Sequence, residues 1–519
     1  MREQVHREEE VNNNRRNPTR RLWPRGFFFK GIVLSLIHNP YVLNLMLFIA
    51  DLHIHSKYSR ATSPQMNLED LDAWADDKGI LVMATGDFLH GRYLREIKEK
   101  LELAEPGLYK LKAKYKKRTL KDTYSKTRFI LSVEISSIYS QGGKVRRIHN
   151  LVFAPSIEIA EKLRNELLAQ GCNLDSDGRP IIGLSSEKLA EIVFNIDLQN
   201  VIVPAHAWTP WFSIFGSMSG FDSIEECFGK YSDKIFAIET GLSSDPAMNW
   251  RLSKLDKVAL ISNSDSHSLP KIGREANIFD TPLTYEGIMT AIKNSSPHAR
   301  QARAAQINSD NAQIKSDKIR DNQSLDQSKS ELVATIEFFP EEGKYHYDGH
   351  REHQIFWAPE ETKRNKGICT VCGKPVTVGV MNRVDQLADR KIKLSSKGNY
   401  HKDSGFVPYY NLVGLEEIIA EAFGVSATSK KVKEEFKNLI IKFGSELKIL
   451  LKTSDEELKD GMDPKIFAGI KRVREGKLTI KPGYDGEYGV VKIFPAEGEF
   501  ASSGNESKKK KMENKGKLF

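Results

Sequence analysis

A chain of 519 residues has room for two or three domains, each with its own core, which excludes a single small module. Its 78 Lys and Arg against 69 Asp and Glu leave a formal charge of +9, a balance that suits a polyanionic partner such as nucleic acid. Four cysteines, at 172, 227, 369 and 372, are too few for a disulfide-stapled secreted fold and agree with a reducing cytoplasm.

At the N-terminus an Asn- and Arg-rich stretch leads into Gly26 to Ile37, which imitates the basic and apolar regions of a signal peptide. Lys30, His38, Asn39 and Pro40 interrupt it, and no small-residue cleavage site follows. The run from 31 to 37 is far shorter than the roughly 20 residues that span a bilayer. Residues 1–46 therefore read as a disordered or mis-annotated extension, with Met46 a candidate start, on a cytoplasmic protein that makes no membrane contact.

From Leu47 short apolar runs alternate with amphipathic stretches, the pattern of βα units. Seven strands are predicted, at Phe48–His55, Ile80–Thr85, Phe129–Ile135, Ile148–Phe153, Val201–Ala205, Ile235–Glu239 and Val258–Ser262. Helices fit over Leu68–Lys78 and Ile157–Gln170, where apolar residues recur at helical spacing. This is barrel-like α/β architecture over residues 47–294. Between Tyr109 and Arg128 nine of twenty residues are basic, Lys116, Lys117 and Arg118 among them. The segment reads either as a solvated loop or as one that tracks phosphates.

Residues 295–332, rich in Gln, Asn, Asp, Ser and Lys, read as a linker without a fold of its own. A small module over 333–407 contains Cys369-Thr-Val-Cys372, whose CxxC spacing makes metal binding the first reading. Helical periodicity returns from Gly414 to about Gly476 within a helical domain at 408–496. There Lys471, Arg472 and Arg474 concentrate charge on one helix, either as a solvated face or as a DNA backbone contact. Residues 497–519, with Lys508 to Lys511, form a basic polar tail without expected structure.

The ionisable residues fall at predicted strand ends. His53 and His55 follow the first strand, and their HxH spacing points both imidazoles to one face. Asp87 and His90 follow the second, Glu134 ends the third, His149 lies in the fourth, His206 follows the fifth, and Asp265 and His267 follow the seventh. A single histidine on an apolar segment is usually a structural residue. Here six of the 13 histidines and three acids converge by position, so a metal cluster is expected. Mixed imidazole and carboxylate ligation suits Zn, Mn or Fe, with Mg at the oxygen-rich positions. Such ions activate water and polarise a phosphoryl oxygen, chemistry that assigns catalysis to His53, His55, Glu134 and Asp265. Glu134 is suited to bridging two metals because a carboxylate has two acceptor oxygens.

These residues resemble the PHP (polymerase and histidinol phosphatase) superfamily and, within it, the endonuclease Q family. The stretches that carry the resemblance are Ala50-Asp-Leu-His-Ile-His-Ser-Lys-Tyr-Ser-Arg-Ala-Thr-Ser63, Glu105-Pro-Gly-Leu-Tyr-Lys-Leu111, His149-Asn-Leu-Val-Phe-Ala-Pro155, Ile238-Glu-Thr-Gly-Leu-Ser-Ser-Asp-Pro246 and Pro482-Gly-Tyr-Asp-Gly-Glu-Tyr-Gly489. The resemblance covers residues 47–294 and 333–495. It implies a distorted (βα)7 barrel, a cluster of three divalent ions (Zn, Mn or Mg) on the nine positions above, a CxxC-containing module and a helical C-terminal domain. It also implies a DNA repair endonuclease that cuts 5′ of hypoxanthine, uracil and abasic sites, leaving 3′-hydroxyl and 5′-phosphate.

A lesion reader extrudes its nucleotide into a pocket, for which Tyr58, Arg60, Trp208, Trp211 and Phe212 are candidates. Where the family is expected to carry a second CxxC, this chain has His353-Gln-Ile-Phe356. A structural zinc would then use Cys369, Cys372 and His353 with a fourth ligand such as His350 or His346, and the alternative is a zinc-free module packed by Ile355, Phe356 and Trp357. The C-terminal Lys-Gly-Lys-Leu-Phe519 departs too far from a Gln-led peptide to indicate a sliding clamp partner. Two other readings remain open: a phosphatase acting on a small phosphomonoester, and a DNA-binding module with a vestigial metal site.

Overall fold

Apolar residues on both faces of short strands require cover on both sides, and the computed structural model, which describes residues 45–314, 330–392 and 405–494, supplies it. In chain order the strands are β1 (Met46–Asp51), β2 (Val82–Ala84), β3 (Leu101–Glu105), β4 (Leu108–Leu111), β5 (Arg128–Gln141), β6 (Lys144–Ala154), β7 (Ile181–Ile182), β8 (Val201–Pro204) and β9 (Ala237–Glu239). There follow β10 (Ala259–Ile261), β11 (Ala276–Thr281), β12 (Glu331–Glu337), β13 (Asp348–His350), β14 (Ile355–Trp357), β15 (Tyr409–Asn411), β16 (Thr479–Lys481) and β17 (Val490–Lys492). The seven predicted strands correspond to β1, β2, β5, β6, β8, β9 and β10. Alternation sorts their side chains: Phe48, Ala50, Val82, Ile130, Leu151 and Val203 enter one apolar cluster, and Ile49, Met83, Leu131, Val152 and Ile202 enter another on the opposite face.

The principal sheet runs β15-β12-β11-β1-β2-β5-β4-β3, with β6 and β7 also on β5 and β8 on β6, and β9 pairs separately with β10. The architecture is mixed α/β rather than an all-parallel ring. β1, β2 and β5 are parallel, but β1 meets β11 and β5 meets β6 antiparallel. The reason for the second pairing is local. Gly142 and Gly143 both have positive φ, at 61° and 72°, and reverse the chain in two residues, which only an antiparallel pair accepts.

The helix Leu68–Lys78 starts and stops where predicted: the Asn67 side chain accepts from the Asp70 backbone, and Gly79 closes the other end in the left-handed region. Its acids meet the basic segment that follows β4. Lys116 pairs with Asp72 at 3.2 Å, Lys117 with Asp70 at 2.5 Å and Lys121 with Asp76 at 2.6 Å, while Arg118 lies over the Tyr124 ring. The basic segment is thus neither a free loop nor a bare row of cations: Lys116 is drawn into the fold by Asp72, while the Lys117 side chain stays half-exposed beside Asp70.

Two expectations about organisation change. Residues 297–314, read as linker, form the helix Pro297–Ile314, for which Ala299, Ala302, Ala304 and Ala305 are strong helix formers. The chain then re-enters the same sheet, β12 pairing antiparallel with β11 and parallel with β15, so residues 331–337 and 409–411 are not a separate module. The helices Leu415–Phe423, Lys430–Phe443, Glu446–Leu451, Asp455–Lys459 and Pro464–Arg474 come next, where helical periodicity places them. They pack on the Leu68–Lys78 helix through Trp74 against Phe436 and a buried Lys78–Glu446 ion pair of 2.5 Å. Among the described residues no helix is long and apolar enough to cross a membrane. The segment 1–44, residues 315–329 of the linker and the tail from 495, with the clamp question it carries, lie outside the described residues.

Candidate metal centre

His53, His55, Asp87, His206 and Asp265 lie in the turns that follow β1, β2, β8 and β10, whereas Glu134 and His149 stand inside β5 and β6, on interior rungs of their ladder. Three of these residues sit in the left-handed region although none is glycine: Asp87 at φ 47°, His206 at 33° and Asp265 at 45°. A non-glycine residue resists that conformation, so the turns hold these side chains against a backbone cost of order 1 kcal/mol each.

Glu134 is the hub. Its Oε2 faces His55 Nε2 at 3.2 Å and His53 Nε2 at 3.8 Å, and Asp265 Oδ1 lies 3.1 Å from His55 Nε2 and 3.6 Å from His53 Nε2. Its Oε1 faces His149 Nδ1 at 2.6 Å and His206 Nε2 at 2.9 Å. Two groups result, one of His53, His55, Glu134 and Asp265 and one of Glu134, His149 and His206, each with ligand atoms within 4.8 Å of one another. They share one carboxylate. His53 Nε2, His55 Nε2 and Asp265 Oδ1 are buried without a hydrogen-bond partner. A divalent cation fits this donor set: imidazole nitrogens and carboxylate oxygens converge there, and burying polar atoms unpaired is costly.

The electrostatics bind the groups together. Burial opposes charge on His53 and His55, yet Glu239, Asp265 and Glu134 around the first, and Asp265, Asp87 and Glu134 around the second, hold both imidazoles well above their ordinary pKa. Glu134 is held well below the usual range: against its burial, His149, His206 and His53 favour the carboxylate. Burial, against the pull of Glu134, takes His149 down to about 4 and so keeps it neutral.

Six of the nine expected ligands thus enter the two groups. The other three surround them. Asp87 accepts from the Ser56 backbone at 2.7 Å and hydroxyl at 2.6 Å and faces the outer nitrogen of His55 at 3.3 Å. His90 stacks on Tyr58 at 4.4 Å, with its Nδ1 buried and unpartnered. His267 packs at a tilt against His55, with ring centroids 4.4 Å apart.

The pocket candidates divide. Trp208 is fully buried against Phe215, its indole N–H donating to Asn249 at 2.7 Å; it is core, because its polar edge is satisfied inside. Trp211 and Phe212 line a cavity of about 940 Å³ beside His149, together with Arg147, Arg274, Tyr345 and His346. Tyr58 donates to Glu96 at 2.5 Å and so braces His90, and Arg60, largely exposed, pairs with Asp177 at 3.3 Å. The C-terminal cations are mostly committed to the fold. Arg474 caps the end of the Glu446–Leu451 helix through the carbonyls of Ile449 and Thr453 and pairs with Asp455, Arg472 donates to Ile493, and only Lys471 stays half-exposed.

Two residues that sequence reasoning passed over touch the centre. Glu239, at the end of β9, receives His53 Nδ1 at 3.1 Å and the His206 backbone N–H at 2.8 Å. The strand-end rule that found the others would have found it. Arg179 donates to Glu134 Oε2 at 3.1 Å from a loop, where no periodic signal marks it.

A second ligand group lies apart, made by His350, His353, Cys369 and Cys372. His353 Nδ1 is 3.6 Å from Cys369 Sγ, His350 Nδ1 is 3.5 Å from Cys372 Sγ, and the two imidazole nitrogens are 3.1 Å apart. A tetrahedral zinc with ordinary bond lengths sets N···S edges of about 3.5 Å, so the four atoms fit one. His350 is the fourth member, His346 lining the cavity instead, and Phe356 packs on Tyr484. Against the burial that would raise it, the Cys372 N–H and the His350 ring bring the Cys369 thiol down to about 6.

A mixed α/β sheet whose strand ends gather histidines around a shared carboxylate defines a candidate metal-dependent hydrolase. The chain resembles endonuclease Q: it matches the crystal structure of the lesion-specific endonuclease PfuEndoQ from Pyrococcus furiosus at 27% identity and a TM-score of 0.69, over 89% of this chain and 100% of that one. A crystal structure of endonuclease Q in complex with a 27-mer duplex substrate bearing an abasic lesion at the active site matches at 27% identity and a TM-score of 0.68, over 87% of this chain and 98% of that one. Residues 414–477 match the model of the MJ0043 C-terminal domain. The uncharacterized protein MJ0043 of Methanocaldococcus jannaschii is 30% identical over 330 residues, 62% of this chain, and the match spans 36% of the length of that protein.

Proposed function

We propose that the chain is a metal-dependent DNA repair endonuclease that hydrolyses the phosphodiester 5′ of hypoxanthine, uracil and abasic sites. The observation that carries this reading is Glu134, whose two oxygens serve two ligand groups beside an aromatic cavity large enough for a nucleotide. Similarity to endonuclease Q over 89% of the chain, including a form bound to a lesion-bearing duplex, supports it.

His53, His55, Glu134, Asp265, His149 and His206 would hold divalent cations, which supply Lewis acidity and activate water when bound. The chain's own residues do the rest. Glu239 holds Nε2 of His53 toward the centre by accepting from Nδ1. Trp211 and Phe212 offer ring faces on which an extruded base can stack, worth roughly 1–3 kcal/mol per base. Water is added across the P–O3′ bond, leaving 3′-hydroxyl and 5′-phosphate. The test uses end-labelled duplexes with one hypoxanthine, uracil or abasic site, an undamaged control and a His53→Ala variant. Incision restricted to lesions and absent in the variant is expected. Lesion-independent cutting would sink the reading, and release of phosphate from small monoesters without incision would favour a phosphatase.

We also propose a structural zinc at His350, His353, Cys369 and Cys372. Elemental analysis should find zinc that survives dialysis and is lost in Cys372→Ser, with a lowered melting temperature. Equal zinc content in the variant would remove the site.

A further inference from the structure

Arg179 is held more firmly than a loop residue needs to be. On one side Gly178 donates its N–H to the Tyr58 carbonyl at 3.0 Å, and on the other the Pro180 carbonyl accepts from Ser136 at 3.0 Å, just before β7 joins β5. Gly178 lies so close to the centre that a β-carbon there would stand 2.3 Å from Asp87 Oδ2 and 2.5 Å from Ser59 Oγ. Only glycine permits that approach. Asp177 accepts from the Arg179 backbone N–H at 3.2 Å and pairs with Arg60 at 3.3 Å, closing the turn. The loop therefore fixes the Arg179 backbone at the edge of the cluster.

From this anchor one arm of the guanidinium reaches Glu134 Oε2, the oxygen that also faces His53 and His55, while the side chain keeps 29% of its surface exposed. A carboxylate oxygen has two lone pairs and serves both. The planar fork has five N–H donors, and its contact with Glu134 uses few of them. Lys57 and Lys100 are committed to Glu96, and Arg274 to the Ser264 carbonyl. Arg179 is the cation that meets the hub carboxylate itself.

We propose that Arg179 is a catalytic residue that binds a non-bridging oxygen of the scissile phosphodiester and stabilises the charge that grows on it during attack. It stays protonated throughout; no proton or electron passes through it. An oriented guanidinium preformed at the site needs little reorganisation at the moment of reaction, and that makes such donors effective. This rests on the phosphodiester reading above.

The test compares wild-type protein, Arg179→Ala and Arg179→Lys, each loaded with Mn(II), on the lesion duplex and on bis(p-nitrophenyl) phosphate. Arg179→Ala should lower kcat on both by about 10²–10³-fold with KM changed little, and Arg179→Lys should recover only part because it lacks the fork. Added guanidinium should restore turnover to Arg179→Ala, inhibition by inorganic phosphate should weaken, and metal content should match wild type. Turnover of Arg179→Ala within about threefold of wild type, or metal loss parallel to the loss of turnover without guanidinium rescue, would overturn the proposal. If the wild type hydrolyses the small diester but not the duplex, the DNA reading fails, and the small diester still decides the role of Arg179.

Discussion

His53 owes its orientation to a residue behind it. With Glu239 accepting from Nδ1 at 3.1 Å, the imidazole can turn only Nε2 toward Glu134 and Asp265. The same carboxylate takes the His206 backbone N–H and an Asn263 amide N–H at 2.8 Å, so one side chain orders parts of both ligand groups. Such outer partners typically contribute 10–100-fold to metal affinity or activity. Glu239→Gln, which keeps the shape and removes the charge, should therefore weaken Mn(II) binding about 10–100-fold by calorimetry. Unchanged affinity would mean that Glu239 acts only in packing.

At the scale of elements, legibility followed the reach of the signal. The Leu68–Lys78 helix was readable to the residue because both caps, Asn67 and Gly79, are local chemistry. β5 and β6 were read too short, at 135 and 148, because Ser136, Ser137, Arg146 and Arg147 look like loop, yet they pair in a ladder that reaches Gln141 and Lys144. Gly142-Gly143 was the available hairpin signal. His53, His55, Asp87, His206 and Asp265 were legible as candidates because they follow short apolar strands, and Glu134 and His149 because they stand in such runs although inside longer strands, whereas Arg179 was not, since a loop's path over the site is set by tertiary contacts. The fate of the C-terminal cations was equally hidden: charge density says nothing of which carbonyls a helix will place beside Arg474.

Glu337, at the end of β12, gives the sheet a pH dependence. Burial, with Asp245 nearby, raises its carboxyl from 4.5 to about 8 despite hydrogen bonds from Thr335 and Thr240. The folded state then holds a proton that the unfolded chain releases near 4.5, so this contribution is whole below pH 4.5 and is lost as pH rises through 8. Urea unfolding from pH 5 to 9 should show stability falling with pH, and Glu337→Gln should flatten that fall by on the order of a few kcal/mol at the alkaline end. Parallel curves for the two proteins would show that Glu337 does not set the slope. Glu275, also raised well above its ordinary value by burial and by Glu337, should keep a smaller slope in the variant.

For the whole molecule, the sequence suggested beads on a string, with a linker parting a catalytic domain from a small module and a helical domain. The strand order instead returns the chain to its first sheet, since β11 lies between β1 and β12. No local pattern announces such a partner, because the pairing joins residues 276–280 to 331–336 across the intervening segment. The C-terminal helices are likewise seated on the first helix rather than held at a distance, through Trp74 and Lys78.

The β11–β12 ladder makes the two lengths of chain complementary fragments. An N-terminal fragment ending at residue 314 would leave β11 with an open edge, and one beginning at 330 would bring β12 without its neighbour. Open edges of this kind drive aggregation. Expressed separately, fragments 45–314 and 330–494 should each be insoluble or self-associated, and co-expressed they should co-purify at one to one and regain the proposed incision activity to the level of the intact chain. A soluble, monomeric N-terminal fragment would show that the sheet is complete without β12. The ladder also offers a practical handle: a tag or reporter spliced between 314 and 330 would lengthen the covalent connection and leave intact the β11–β12 pairing that reunites its ends.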